Sequence, residues 1–160
     1  VFITGHLSGA YLALKPFQRH LPRQVFAAGL VGGILPDIDM LWFHFVDHGA
    51  FHHHQYLTHR PLLWVIVLLT GLLLHRMQNT LGLTVIMVGV GGLVHMALDT
   101  IAGAIAWGWP LDHTPNTLVI VQATHSHWIL SFLNHWTFQV EILMTTIALF
   151  LLWRSKSVPR

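Results

Sequence analysis

His95 and Asp99 stand four residues apart in His95-Met96-Ala97-Leu98-Asp99, inside an apolar run. On a helix that spacing puts a ring nitrogen and a carboxylate on one face. Two further acids interrupt another apolar run, at Leu35-Pro36-Asp37-Ile38-Asp39, so half of the six acids lie in hydrophobic sequence. A charge placed in a bilayer segment costs about 2.5–3.5 kcal/mol and persists only with a partner or a purpose. Almost no Lys or Arg is near these three acids, and where protein supplies no cation a metal ion can. The histidines point the same way. His54 and His59 are five apart, just before Pro61, and His6 follows Gly5. His6, Asp37, His54, His59, His95 and Asp99 thus form a candidate ligand set of nitrogen and oxygen without sulfur. Such a set suits zinc best, with manganese or non-haem iron as alternatives. It exceeds the three protein ligands of one catalytic zinc site. Either some members are supporting partners, or two ions sit about 3.5–4 Å apart.

These residues need elements to carry them. Pro36 should halt the helix before it and leave Asp37 and Asp39 on an irregular turn. At membrane depth such a turn is tolerated only where it lines a cavity. Pro61 should open a helix directly after His59. Of the other histidines, His52 and His53 read as a solvated loop, His44 and His48 as interfacial or packing residues, and His20 and His75 as headgroup contacts beside cations. The competing explanation for the whole set is a helix bundle held by polar contacts.

The chain has 160 residues, 54% of them apolar and 9% charged, against roughly 25% charged in soluble domains. That composition excludes a disordered chain and an ordinary soluble surface. With no cysteine, disulfides, iron–sulfur clusters and thiolate zinc sites are excluded. Eight dispersed cations make no phosphate-binding patch, so a nucleic-acid partner is not expected. We read an all-α integral membrane bundle forming one domain over residues 1–160, with no signal peptide. Its five apolar segments are about Val1 to Leu14, Gln24 to Val46 (interrupted at Pro36), Pro61 to Leu74, Leu81 to Trp107 and Trp136 to Trp153. The first and third fall short of the ~20 residues that span a bilayer. Lys15, Arg19, Arg23, Arg76, Arg154, Lys156 and Arg160 lie on one side if all five cross, and only Arg60 lies opposite. The positive-inside rule then makes that side cytoplasmic and turns the His48–His59 stretch and the Gly108–His127 loop outward. Trp42, Trp107, Trp109, Trp128, Trp136 and Trp153, near segment ends, read as an interfacial aromatic belt.

Gly5-His6, Leu35-Pro36-Asp37-Ile38-Asp39, His54-x4-His59, His95-x3-Asp99 and Trp109-Pro110 occur in that order. This succession resembles the membrane-bound metal-dependent hydrolases of the YdjM-like type, a group also described as LexA-binding and inner membrane-associated. The resemblance covers roughly residues 5 to 110. It departs at one block, where the family's His-Arg-Gly is His54-Gln55-Tyr56 and an arginine follows His59 instead, as Arg60. The resemblance implies a bacterial or archaeal inner membrane and a hydrolase. A site open at the outer membrane–water boundary is reached most easily by a lipid headgroup, so a lipid phosphoester is the expected substrate. A bound ion would activate water, Asp39 would orient that water or take its proton, and Arg60 would offset phosphoryl charge. His113, His125 and His127 are further candidates for a ligand or a leaving-group acid. Two rivals remain: a metal transporter or metal-binding protein, which would string its ligands across the membrane, and a haem carrier pairing His95 with His135.

Overall fold

The computed structural model describes the backbone of residues 1–78 and 81–157 and the side chains as far as 155. Arg160, counted above among the cations, lies outside the described residues. Among the described residues seven helices follow one another: α1 (Ile3–Leu14), α2 (Arg23–Gly32), α3 (Asp39–Phe45), α4 (Pro61–Arg76), α5 (Gly82–Ala102), α6 (Trp128–Leu133) and α7 (Trp136–Ser157). Short 3₁₀ turns at Lys15–His20, Leu35–Ile38, His53–Gln55 and Leu57–His59 connect the first four. No β-strand occurs among the described residues, and a single isolated bridge pairs Ile105 with Asn116.

The proline expectations hold at both places. α2 stops at Gly32, and Pro36 sits in the first turn of the 3₁₀ segment that carries Asp37. The chain bends by 57° between α2 and the stretch Leu35–Phe45. Pro61 occupies the first turn of α4, where its missing N–H costs nothing. The fourth apolar segment is shorter than the hydrophobic run suggests. Its helix ends at Ala102, and Gly103 is extended, because the chain there turns back to pair Ile105 with Asn116 through two backbone hydrogen bonds of 3.0 and 2.9 Å.

α5 is the central helix, and small residues let its neighbours touch its backbone. A Cβ on Gly91 would lie 2.2 Å from the Gly29 carbonyl of α2, and one on Gly92 would lie 2.1 Å from the Trp64 ring of α4. This close approach is the usual way helices pack where lipid gives no hydrophobic drive. Tyr11, Leu14, Val25, Phe26, Met87 and Ala148 form one core, where α1, α2, α5 and α7 meet. Trp64, Met96 and Ile105 form a second, and the Trp64 indole donates to the Thr58 carbonyl at 2.8 Å. That bond ties α4 to the histidine-bearing turns.

α5 and residues 136–155 of α7 are long and apolar enough to cross a membrane, and the bent stretch from Arg23 to Phe45 adds a third if it is one span. α1 has 12 residues and α4 has 16, so the first and third segments are short as helices too. Leu69, Leu72 and Leu73 of α4, and Leu143, Leu149 and Phe150 of α7, stand exposed, the apolar coat that lipid requires.

Candidate metal centre

The two α5 residues meet as their spacing requires: His95 Nε2 lies 3.1 Å from Asp99 Oδ2. Three other elements converge on them. The turn after Pro36 brings Asp37, whose Oδ1 is 3.7 Å from both His95 Nε2 and His59 Nε2. The paired 3₁₀ turns before α4 bring His54 and His59, whose Nε2 atoms each lie 3.5 Å from Asp99 Oδ2. α1 brings His6, which stacks on the His95 ring at 3.5 Å and 8° and puts Nε2 3.1 Å from Asp99 Oδ1. All six expected ligands therefore gather in one place. His6, His59 and His95 are fully buried, and Asp99 is nearly so.

The second nitrogens show what the first are for. His59 Nδ1 lies 2.5 Å from Asp39 Oδ2, and Thr58 Oγ1 donates to that same oxygen at 2.5 Å. His95 Nδ1 is 2.9 Å from the Gly33 carbonyl, an acceptor only, so the ring must donate there. With Nδ1 protonated in both rings, each Nε2 offers a lone pair. Neither Nε2 has a hydrogen-bond partner, and nor does Asp99 Oδ2, although all three are buried. An unmade buried hydrogen bond costs about 1–3 kcal/mol, and these three acceptors lie where a metal ion could be held. A tetrahedral ion with bonds of 2.0–2.2 Å needs neighbouring ligands roughly 3.3–3.6 Å apart. The separations of 3.1 to 3.7 Å are of that size within overlapping groups of three, Asp37–His59–His95, His54–His59–Asp99 and His6–His95–Asp99. His59 and His95 therefore fit a divalent ion, each backed by the carboxylate or carbonyl that a ligating imidazole ordinarily requires.

The charges of the cluster bear on the same point. Burial disfavours a charged ring at His59, yet the Asp39 hydrogen bond and the nearby Asp99 carboxylate outweigh it and hold its pKa up to about 9. At His54 burial wins over the Asp99 charge and pushes the ring down to about 2. Asp99 Oδ1 is paired with the Val1 ammonium at 3.2 Å, and a proton on His59 or a metal ion can supply positive charge at the Nε2 atoms.

Several residues fall elsewhere than expected. Asp39 faces His59 rather than open space, with Oδ2 fully engaged. His53, read as solvated, is half-buried with Nδ1 3.6 Å from Asp39 Oδ1. His52 is exposed, and its ring accepts the His54 N–H at 3.2 Å. Arg60 donates to the Gln55 carbonyl at 2.7 Å and lies 5.8 Å over the Trp109 ring. No ion pair joins it to the cluster among the described residues. His113, His125 and His127 are exposed, and His127 caps α6 by accepting the Ile129 N–H. His135 bonds to Thr137 at 2.9 Å, so the described contacts give no His95–His135 pair for a haem.

Two features were not anticipated. Gly103 must lack a side chain, since a Cβ there would lie 2.5 Å from His54 Cε1. Glu141 on α7 is buried close to α1, with Oε2 accepting the Phe2 N–H at 3.1 Å. The reasoning applied to Asp99, a lone acid in an apolar run, would have singled it out from the sequence.

The model of the YdjM inner membrane protein family matches residues 2–158. No curated protein and no solved structure gives a significant match. The chain belongs to the YdjM inner membrane protein family and is a membrane protein.

Proposed function

We propose that this member of the YdjM inner membrane protein family is a metal-dependent hydrolase acting on a phosphoester of a membrane lipid. The observation that carries the reading is the set of buried, unpartnered atoms, His59 Nε2, His95 Nε2 and Asp99 Oδ2, converging with Asp37 Oδ1 at metal-ligand spacing. His59, His95 and Asp37, together with Asp99 and His54, would hold the ion or ions, and His6 lies against the other oxygen of Asp99. Zinc fits this donor set best, with manganese or iron as alternatives. When bound, a divalent ion supplies Lewis acidity for a phosphoryl oxygen and lowers the pKa of water.

The chain's own residues do the rest. Asp39 is a positioning residue, holding His59 in the tautomer that leaves Nε2 free. His53, half-buried beside Asp39, is the ring at the cluster's edge able to pass a proton to solvent. Arg60 is the nearby cation, and it meets phosphoryl charge by leaving the Trp109 face. A lipid substrate is supported by membrane residence and by the exposed apolar side chains of α4 and α7. The charge asymmetry of the loops favours a site facing outward across a bacterial or archaeal inner membrane.

A transporter would distribute ligands along a path through the bundle. Here the six ligands form one cluster around Asp99, three residues from the end of α5, which favours a contained site.

The test is metal content by mass spectrometry on detergent-purified protein, followed by a screen of phospholipids for phosphate-ester cleavage. One or two equivalents of metal, and cleavage lost together with metal in His95→Ala, support the reading. Stoichiometric metal with no cleavage of any phospholipid, but metal flux in liposomes, replaces it with the transporter. No metal in the wild type removes both.

A further inference from the structure

The cluster around Asp99 is closed on almost every side. His6, His59 and His95 are fully buried and Asp99 is 1% exposed, so an ion held there needs a route through the protein. Two of the six ligands keep a little side-chain surface, Asp37 at 10% and His54 at 8%. Asp37 forms a group able to hold an ion only with His59 and His95, both buried. His54 forms two such groups, one inside with His59 and Asp99 and one with His52 and His53. Among the described residues the group His52–His53–His54 is the one that includes an exposed side chain, that of His52.

The local backbone explains why three consecutive rings stay together. On a strand they would alternate sides. Here the His52 ring accepts the His54 N–H at 3.2 Å and the chain enters the 3₁₀ turn His53–Gln55. The ring centroids of His52 and His53 are 4.9 Å apart, those of His53 and His54 4.3 Å, and those of His52 and His54 4.5 Å. One ring nitrogen from each lies within 4.8 Å of the others. The next ring inward is His59, with its centroid 4.8 Å from that of His54. Burial rises in the same order, from exposed His52 through half-buried His53 to buried His54 and fully buried His59. Imidazole is therefore present at every step from the surface to Asp99.

We propose that His52, His53 and His54 form an entry site that takes a divalent transition-metal ion from solvent and passes it through His54 to the buried centre. The inference rests on the reading of the cluster as a metal centre. Imidazole donors favour zinc and its neighbours over magnesium or calcium. The entry group has three imidazoles and no carboxylate, whereas the inner centre adds Asp37 and Asp99. Attraction between a cation and a carboxylate strengthens with burial, so the ion moves from the weaker site to the stronger one.

The full chain in detergent is stripped with a chelator and mixed with zinc alone in a stopped-flow instrument. A chromogenic zinc indicator follows uptake, and mass spectrometry gives the final zinc per chain. His52→Asn keeps a side-chain carbonyl able to accept the His54 N–H but has no imidazole. It should load about tenfold more slowly than wild type and reach the same zinc content, since even a partner behind a ligand is worth that factor in affinity. His52→Ala should match it, and His53→Gln should also load slowly. If His53→Gln does not fold, the exposed His52 decides alone. Loading of His52→Asn at the wild-type rate overturns the entry site, and if His52→Ala alone is slow, His52 is only a cap for the turn. No tightly bound zinc in wild type overturns the metal reading and this inference with it. Tight zinc with unchanged rates in the variants overturns the entry site and leaves the centre standing.

Discussion

Asp99 and Glu141 are both buried acids in apolar helices long enough to span a membrane, and the groups around them differ completely. Asp99 is ringed by nitrogens of His6, His54, His59 and His95 within 3.1 to 3.5 Å. Glu141 has one backbone amide and a wall of hydroxyl oxygens. A carboxylate among imidazoles brings acceptor atoms to a common point, where a proton on one ring or a metal ion can serve them. A carboxyl that accepts a single amide from the start of α1 ties one helix to another. The same kind of acid in the same kind of helix thus has two different settings, and the neighbours decide which.

Substitutions can break that contrast in order of size. Asp99→Ala should have the largest effect, leaving metal content below about a tenth of wild type, since a buried ligand and its charge both vanish. Retained stoichiometric metal in that variant would take Asp99 out of the centre. Asp39→Asn should be next: it touches no Nε2 atom, but it weakens the hold on His59 Nδ1, and metal affinity measured by chelator competition should fall about 10–100-fold. An unchanged affinity would make Asp39 a structural acid only. Gly103→Ala drives a methyl into the His54 ring and should lower affinity several-fold if His54 is a ligand. The same affinity with a displaced ring would reduce the centre to His59, His95, Asp37 and Asp99. Glu141→Gln should leave metal content as it is, because the cluster around Asp99 is complete without it. His52→Ala, at an exposed ring, should change melting temperature and metal content least, within about 0.5 kcal/mol of wild-type stability.

The ligand residues were legible because each broke the local rule of its surroundings. Acids at Asp37 and Asp99 have no business in apolar runs, and Pro36 announced where the backbone would leave the helix. Their convergence was not legible from spacing, since it joins residues from α1, the Pro36 turn, the turns before α4 and α5. The supporting bonds were less visible still. Nothing local marks Gly33 as the acceptor for His95, and Asp39 looked as suited to water as to His59. His53 and His52 are neighbours of identical type, yet one packs beside Asp39 and the other faces out, a distinction made by the 3₁₀ turn at His53–Gln55. Hydropathy overran the end of α5 because Ile105, Ala106 and Trp107 are apolar for a different reason. Ile105 packs against Trp64 and Met96 as part of the core outside any helix.

The acceptor for His95 has a mechanical meaning. In an unbroken helix the Gly33 carbonyl would receive the Asp37 N–H. Here that N–H goes to Ile34 at 3.2 Å, and the released carbonyl orients the imidazole. Straightening the 57° bend would reclaim the carbonyl, free the ring to flip, and swing Asp37 away in one motion. The kink and the centre are therefore one mechanical unit: the bend that places Asp37 also supplies the carbonyl that fixes the His95 ring.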